Sequence, residues 1–124
     1  MGKNRNLVEK GEMDYDYLND ILFFKVKDRE YSRSLEFENM VIDIDSEDFI
    51  TGIQIFDASK FLQVDRESLR LVPKWVFRAV IGENKIEVRL NYETQFRNKI
   101  IEKNPIIIQE NKQKLPDSMM VCER

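Results

Sequence analysis

The 124-residue chain contains no histidine and a single cysteine. Histidine is the commonest general base near neutral pH and the commonest metal ligand, so its absence excludes the triads of most hydrolases. Cys122 has no second thiol with which to form an intramolecular disulfide, which favours the reducing cytosol. It also lacks the histidine partner of a typical catalytic thiol. We therefore predict no catalytic residue.

Glycine, proline and long apolar runs are scarce as well. The four glycines are scattered, so neither a phosphate-binding loop nor a dinucleotide fingerprint is present, and we expect no cofactor. No apolar run approaches the roughly 18 residues of a membrane span. Residues 1–11 are polar, unlike a signal peptide. These absences predict a cytoplasmic protein that does not enter the membrane.

The charged residues are plentiful and unevenly distributed. Residues 12–59 contain 13 acidic and 4 basic side chains, whereas the rest of the chain contains 10 acidic and 16 basic ones. The net charge of −3 argues against a domain that binds nucleic acid through an overall basic field. The asymmetry suits docking onto a basic partner or head-to-tail self-association.

Period-two alternation of apolar and polar side chains predicts that most of the chain is β-strand. The strand candidates are residues 15–27, interrupted by a turn at Asn19 and Asp20, and residues 31–37, 40–45 and 50–57. The clearest pattern lies at 74–92, where alternation on both sides of a turn at 82–85 predicts a β-hairpin.

The period changes between Ala58 and Val72, where we predict one short helical element, either a broken helix or two helical turns. Ser59 and Asp65 are suitable N-caps, Asp57 would join Ser59 in satisfying free amides, and Pro73 ends the element. Beyond it, residues 96–103 fit helix or strand, 106–108 fit an edge strand, and 110–124 are predicted to be a tail. The prediction is one α+β domain over residues 1–124, mainly an antiparallel sheet built of hairpins.

A family resemblance rests on two motifs. Tyr15-Asp16 stands three residues before Asp20-Ile21-Leu22, and an isoleucine-rich segment ends in Ala58-Ser59. These motifs resemble a family of small uncharacterised prokaryotic proteins over residues 12–62, with Gln54 where an acidic residue is common. The resemblance implies β-meanders capped by a short helix and no established activity. For some members, which lie beside toxin-like proteins, it implies an antitoxin role.

Carboxylates two residues apart on strands are the best candidates for a binding surface, because this spacing places both side chains on one face. We predict a non-catalytic interaction module whose acidic surface binds a protein partner. Self-association into a homodimer would cover open sheet edges. The predicted partner-binding residues are Asp14, Asp16, Asp43, Asp45, Glu47 and Asp48.

Two other functions remain as alternatives. The same carboxylate pairs suit a divalent metal or a carboxylate-metal enzyme, although an EF-hand loop from Asp43 fails because Asp48 and Gln54 replace the required glycine and glutamate. Nucleic acid could bind a basic C-terminal stretch, but acidic Glu102 and Glu110 interrupt it and disfavour this function. That stretch comprises Phe96, Arg97, Lys99, Lys103, Lys112 and Lys114.

Overall fold

The computed structural model describes residues 6–82, 84–112 and 115–123. Over these residues the chain forms ten strands and two five-residue helices, which confirms the predicted α+β class with mostly antiparallel strands. The elements in chain order are β1 (Asn6–Asp16), β2 (Ile21–Val26), β3 (Tyr31–Phe37), β4 (Met40–Asp45), β5 (Ile50–Phe56), α1 (Ala58–Leu62), α2 (Arg66–Arg70), β6 (Trp75–Ile81), β7 (Lys85–Phe96), β8 (Lys99–Lys103), β9 (Ile106–Glu110) and β10 (Ser118–Glu123).

The strands follow one hydrogen-bonded path in the order β3-β4-β5-β2-β1-β10-β6-β7-β8, and β9 also pairs with β7. β1 connects two sheets, because residues 11–16 pair antiparallel with β2 whereas residues 6–10 pair parallel with β10. We call β3, β4, β5, β2 and the second half of β1 the first sheet. The first half of β1 with β10, β6, β7, β8 and β9 is the second sheet.

The hydrophobic core lies between the two sheets. Alternation directs every second side chain inward, and Phe24 of the first sheet stacks on Phe77 of the second at a ring-centroid distance of 5.1 Å. Phe24 also contacts Trp75 edge-on at 5.6 Å. The two sheets therefore share one core, and the alternate residues on their outer faces are available for contacts outside it.

The prediction of a tail at residues 110–124 is wrong for Ser118–Glu123. These residues form β10, which lies between β1 and β6, and Met120 is only 1% exposed. β10 is a short strand, and its partner strands β1 and β6 lie far from it along the chain. Local periodicity in the sequence therefore does not reveal this strand. Residues 96–103 form the end of β7 and strand β8.

The predicted helical element consists of two short helices, α1 and α2, which agrees with the alternative of two helical turns. Asp65 caps α2, because its carboxylate accepts the Ser68 amide hydrogen at 2.8 Å. The predicted cap of α1 is wrong: Asp57 has left-handed backbone geometry (φ 51°) and makes no side-chain cap bond, and Ser59 lies inside the helix. No helix in the described part of the chain is long and apolar enough to cross a membrane.

Candidate functional site

The outer face of the first sheet carries the largest group of predicted site residues. Residues directly opposite one another in neighbouring strands share a face. The strand registers therefore place two outward rows across the sheet, Asp14–Phe23–Gln54–Val41–Glu36 and Glu12–Lys25–Gly52–Asp43–Ser34. Asp16 extends the face beside Asp14, opposite Ile21.

Five carboxylates and the ammonium group of Lys25 belong to this face, and the cations of Lys27 and Arg29 lie next to it. We call it the acidic sheet face and define it by Glu12, Asp14, Asp16, Glu36 and Asp43. Glu12 forms an ion pair with Lys27 at 3.4 Å. Asp14 and Glu36 have no ion-pair partner among the described residues.

Asp43 is held in place above a glycine. A Cβ atom at Gly52 would lie 2.9 Å from Asp43 Oδ2 and 3.3 Å from the Phe24 carbonyl oxygen, so a side chain at this position would require the Asp43 carboxylate to shift. Asp43 also accepts a hydrogen bond from the Ser34 hydroxyl at 2.8 Å. A groove of about 390 Å³ lies here and includes Asp14, Asp43, Phe23 and Lys25 in its lining.

Three predicted site residues lie on the acidic sheet face, namely Asp14, Asp16 and Asp43. Asp16 is engaged locally, since it accepts hydrogen bonds from the Asn19 side chain at 2.8 Å and the Asn19 amide at 3.1 Å. These bonds hold the pKa of Asp16 below its usual value. Glu12 and Glu36 were missed by the sequence argument. Alternation with Asp14 could have indicated Glu12.

The other three predicted residues surround the β4–β5 turn and interact with arginines. Asp45 is 1% exposed, and its Oδ2 lies 2.7 Å from Arg29 Nη2. Its Oδ1 accepts the amide hydrogens of Glu47 and Phe49, each at 2.9 Å. Glu47 also contacts Arg29 at 3.6 Å, and Asp48 pairs with Arg33 at 3.1 Å. Asp45 therefore stabilises the turn.

The structure does not bring the carboxylate pairs together as metal ligands. Asp43 is bound by Ser34, whereas Asp45 is bound by Arg29 and two amides. Among the residues that the structure describes, no group of three or more candidate ligands could hold a metal ion.

The family motifs meet at a carboxylate whose burial the sequence argument did not predict. Asp20 is 1% exposed and accepts hydrogen bonds from the Tyr15 hydroxyl at 2.6 Å and the Ser59 hydroxyl at 2.6 Å. The Ser59 amide donates to it at 3.0 Å, and Arg66 Nε lies 3.8 Å away. Asp20 thus connects β1, the β1–β2 turn and α1.

The titration of this cluster follows from its contacts. Burial alone would raise the pKa of Asp20, but hydrogen bonds from Ser59 and Tyr15 and the charge of Arg66 outweigh it and lower the pKa. Burial and the bond to Asp20 raise the pKa of Tyr15. Near neutral pH Asp20 is therefore ionised and Tyr15 is neutral. Such a pair suits a structural role rather than proton transfer.

The predicted basic stretch is dispersed. Arg97 lies in the β7–β8 turn, and Lys99 and Lys103 lie at opposite ends of β8, opposite Phe96 and Tyr92. Lys112 follows β9 and pairs with Glu110 at 3.7 Å. Lys114 falls outside the described residues.

Fold and site define a two-sheet α+β protein with acidic residues gathered on one sheet face. Residues 12–59, which include that face and the Asp20 cluster, match the family model described as "Protein of unknown function (DUF2283)". The chain belongs to this family, which confirms the resemblance found in the sequence.

Two archaeal proteins are similar to the chain. A Methanosarcina mazei protein named "Putative hypoxanthine phosphoribosyltransferase" is 30% identical over 121 residues, which span 98% of this chain and 97% of that protein. An uncharacterised protein of Methanocaldococcus jannaschii is 35% identical over 60 residues, 48% of this chain and 52% of that protein. No solved structure matches the chain.

Proposed function

We propose that the protein is a non-catalytic interaction module that binds a basic segment of a partner protein through the acidic sheet face. The observation that carries this function is the gathering of five carboxylates on one sheet face that also contains the Lys25 ammonium group. Surfaces of one charge sign accelerate association with a complementary partner and reject like-charged ones.

The shape and composition of the face support binding to a protein. The half-buried Phe23 lies between Asp14 and Gln54 in the register, so an apolar contact surface is bordered by a carboxylate on one side and a neutral amide on the other. Lysine or arginine side chains of a partner could place their apolar stems on Phe23 and their charges beside Asp14 and Asp43.

Catalysis is disfavoured by the state of the buried acids. Both oxygens of Asp20 and of Asp45 accept hydrogen bonds from protein donors, which leaves neither poised to exchange a proton with a substrate. The name of the Methanosarcina relative implies a transferase that binds phosphate groups, and the described part of this chain has no glycine-rich loop or long helix to hold them. In the described part of the chain both helices have five residues, and Gly11 and Gly52 lie within strands.

The test compares two variants of equal charge change. Asp14→Lys with Asp43→Asn alters the acidic sheet face while preserving the Ser34 contact. Glu93→Lys with Asp117→Asn alters exposed acids elsewhere. Each full-length variant is used to capture partners from native cytosol, and the dissociation constant of the captured complex is measured at two salt concentrations.

We expect the first variant to weaken binding by about tenfold or more, the control to bind normally, and the wild-type complex to weaken as salt rises. Equal binding by both variants would show that the acidic sheet face is not the binding surface.

A further inference from the structure

Two strand edges that have no further strand partner among the described residues line a second groove. Among the described strands, β3 pairs with β4 alone and β9 pairs with β7 alone. The groove between them has a volume of about 710 Å³. Ser34, Leu35, Glu36 and Phe37 of β3 line one side, and Ile108, Gln109 and Glu110 of β9 line the other.

The main chain of β3 directs toward this groove peptide groups that pair with no strand among the described residues. The Phe56 amide donates a hydrogen bond to the Asn39 carbonyl at 2.9 Å. The next pair along the ladder, Met40 and Ile55, therefore exchanges no hydrogen bonds, and the N–H and C=O groups of Met40 face β3. Phe37 is opposite Met40. Because peptide groups alternate in direction along a strand, Phe37 and Leu35 bond to β4. The N–H and C=O groups of Ser34 and Glu36 then point into the groove.

The main chain of β9 does the same from the other side. Leu90 donates to the Pro105 carbonyl and Asn111 donates to the Asn84 carbonyl, both at 3.1 Å. These bonds flank the pairs Arg89–Ile106 and Lys85–Glu110, which therefore exchange no bonds themselves. The peptide groups of Ile106, Ile108 and Glu110 consequently point away from β7 and toward the groove.

We propose that an extended segment of a partner protein binds between β3 and β9 as an added β-strand. Extended backbone complements main-chain donors and acceptors on strand edges, and addition of a strand to an open edge is an established recognition mode. A bulge between Tyr31 and Arg33 interrupts the edge, so the regular part spans about 10 Å from Ser34 to Phe37. The bound segment is therefore short.

The side chains around the groove define the chemistry of that segment. Leu35 and Phe37 are half-buried against the core, Ile86 is buried, and Ile108 is 56% exposed on the outer side. Lys85 and Lys112 are already paired with Glu87 and Glu110, at 3.0 and 3.7 Å. The groove thus favours a segment with apolar residues at alternate positions over a strongly charged one. Of the acidic sheet face only Glu36 also lines this groove, so substitutions at Asp14 and Asp43 separate the two interactions.

Proline substitutions separate main-chain from side-chain contributions. Glu36→Pro removes an N–H that points into the groove and spares the ladder with β4, whereas Glu36→Ala removes only the side chain. Ile108→Pro and Ile108→Ala form the same pair on β9. Circular dichroism and thermal midpoints establish that each full-length variant folds.

The probe is a display library of random nine-residue peptides selected against the full-length protein. The tightest peptide is then synthesised with and without N-methyl groups at alternate amides, and binding is measured by fluorescence anisotropy. The N-methylated peptide provides the decisive comparison if a proline variant fails to fold.

We expect selected peptides to have apolar residues at alternate positions. Each proline or N-methyl substitution should weaken binding about tenfold or more, and each alanine control should change it by less than about threefold. Asp14→Lys with Asp43→Asn should bind the peptide normally, which distinguishes this interaction from the proposed function. The proposal is overturned if no such peptide is selected, if proline and alanine variants bind equally, or if light scattering shows a dimer that Glu36→Pro dissociates.

Discussion

Ser59 donates two hydrogen bonds to the Asp20 carboxylate, one from its amide to Oδ1 at 3.0 Å and one from its hydroxyl to Oδ2 at 2.6 Å. The two residues are separated by 39 positions, so these bonds join the β1–β2 turn to α1. The Asp20 carbonyl reinforces the contact by accepting the Ala58 amide at 3.0 Å. A remote aspartate therefore supplies the helix-cap interaction that the adjacent Asp57 does not make.

The first prediction concerns the stability that Asp20 provides. Asp20→Asn preserves shape and tolerates the left-handed backbone at φ 56°, but it removes the charge and replaces one acceptor by a donor. We expect the free energy of unfolding to fall by about 2 kcal/mol in urea denaturation. Asp57→Asn, at φ 51° and without a cap bond, should change it by less than about 0.5 kcal/mol. Equal losses would mean that Asp20 has no special role.

The second prediction is the acid dependence of folding. The pKa of Asp20 is lower in the folded protein than its ordinary value, so the unfolded state binds more protons as the pH falls. The stability that Asp20 contributes is present above about pH 4 and is lost as the pH falls through the lower folded pKa. We expect the unfolding free energy of Asp20→Asn to decline less below pH 4 than that of the wild type. Parallel declines would contradict this assignment.

The Asp20 cluster shows what sequence patterns omit. Its residues were visible as motifs, and the turn at Asn19 and Asp20 was predicted because such residues tolerate tight geometry. Nothing in the local sequence specifies that Asp20 is buried or that Ser59 folds onto it. Such a contact depends on packing between segments distant in the chain. The contacts of the acids in the β4–β5 turn could not be predicted for the same reason, because their arginine partners Arg29 and Arg33 come from the segment before β4.

The third prediction contrasts two tyrosines. The Tyr15 hydroxyl donates to Asp20 at 2.6 Å, so Tyr15→Phe should lower the unfolding free energy by about 1–3 kcal/mol. The Tyr92 hydroxyl is buried without a protein hydrogen-bond partner among the described residues, and burial raises its pKa to about 12. Tyr92→Phe should leave stability unchanged or raise it by up to about 1 kcal/mol. Urea denaturation of both variants measures the contrast, and a larger loss at Tyr92 would contradict it.

The fourth prediction concerns the β4–β5 turn. Asp45→Asn removes a buried charge that faces Arg29, so we expect a loss of about 3 kcal/mol in unfolding free energy. Asp48→Asn affects a more exposed pair with Arg33 and should cost less than about 1 kcal/mol. Chemical denaturation of the two variants provides the comparison. Similar small losses would show that Asp45 contributes little to the free energy of unfolding. Asp45 would then return to the set of candidate binding residues.

Alternation was informative wherever one face of a strand is buried. In β6, Trp75, Phe77, Ala79 and Ile81 face the core, and each is at most 2% exposed, so period two is clear in the sequence. Asp14 and Asp16 of β1 and Asp43 of β4 were found for the same reason, whereas Glu12 was missed. Strand order and the parallel pairing of β1 with β10 were not predicted, because residues such as Val8 and Val121 come from opposite ends of the chain. The short period of a strand specifies its faces but not its neighbours.

The last prediction tests β10, where the sequence suggested a tail. Met120 is 1% exposed and lies opposite Ala79, whereas the adjacent Met119 is half-buried on the other face of the strand. Met120→Ala should lower the unfolding free energy by about 2–5 kcal/mol because it leaves a cavity between the sheets. Met119→Ala should cost less than about 1 kcal/mol, since neighbouring water can fill the space. Thermal and urea unfolding measure both changes. A mobile tail would make the two substitutions equally silent, whereas a strand packed between β1 and β6 makes only the inward methionine costly.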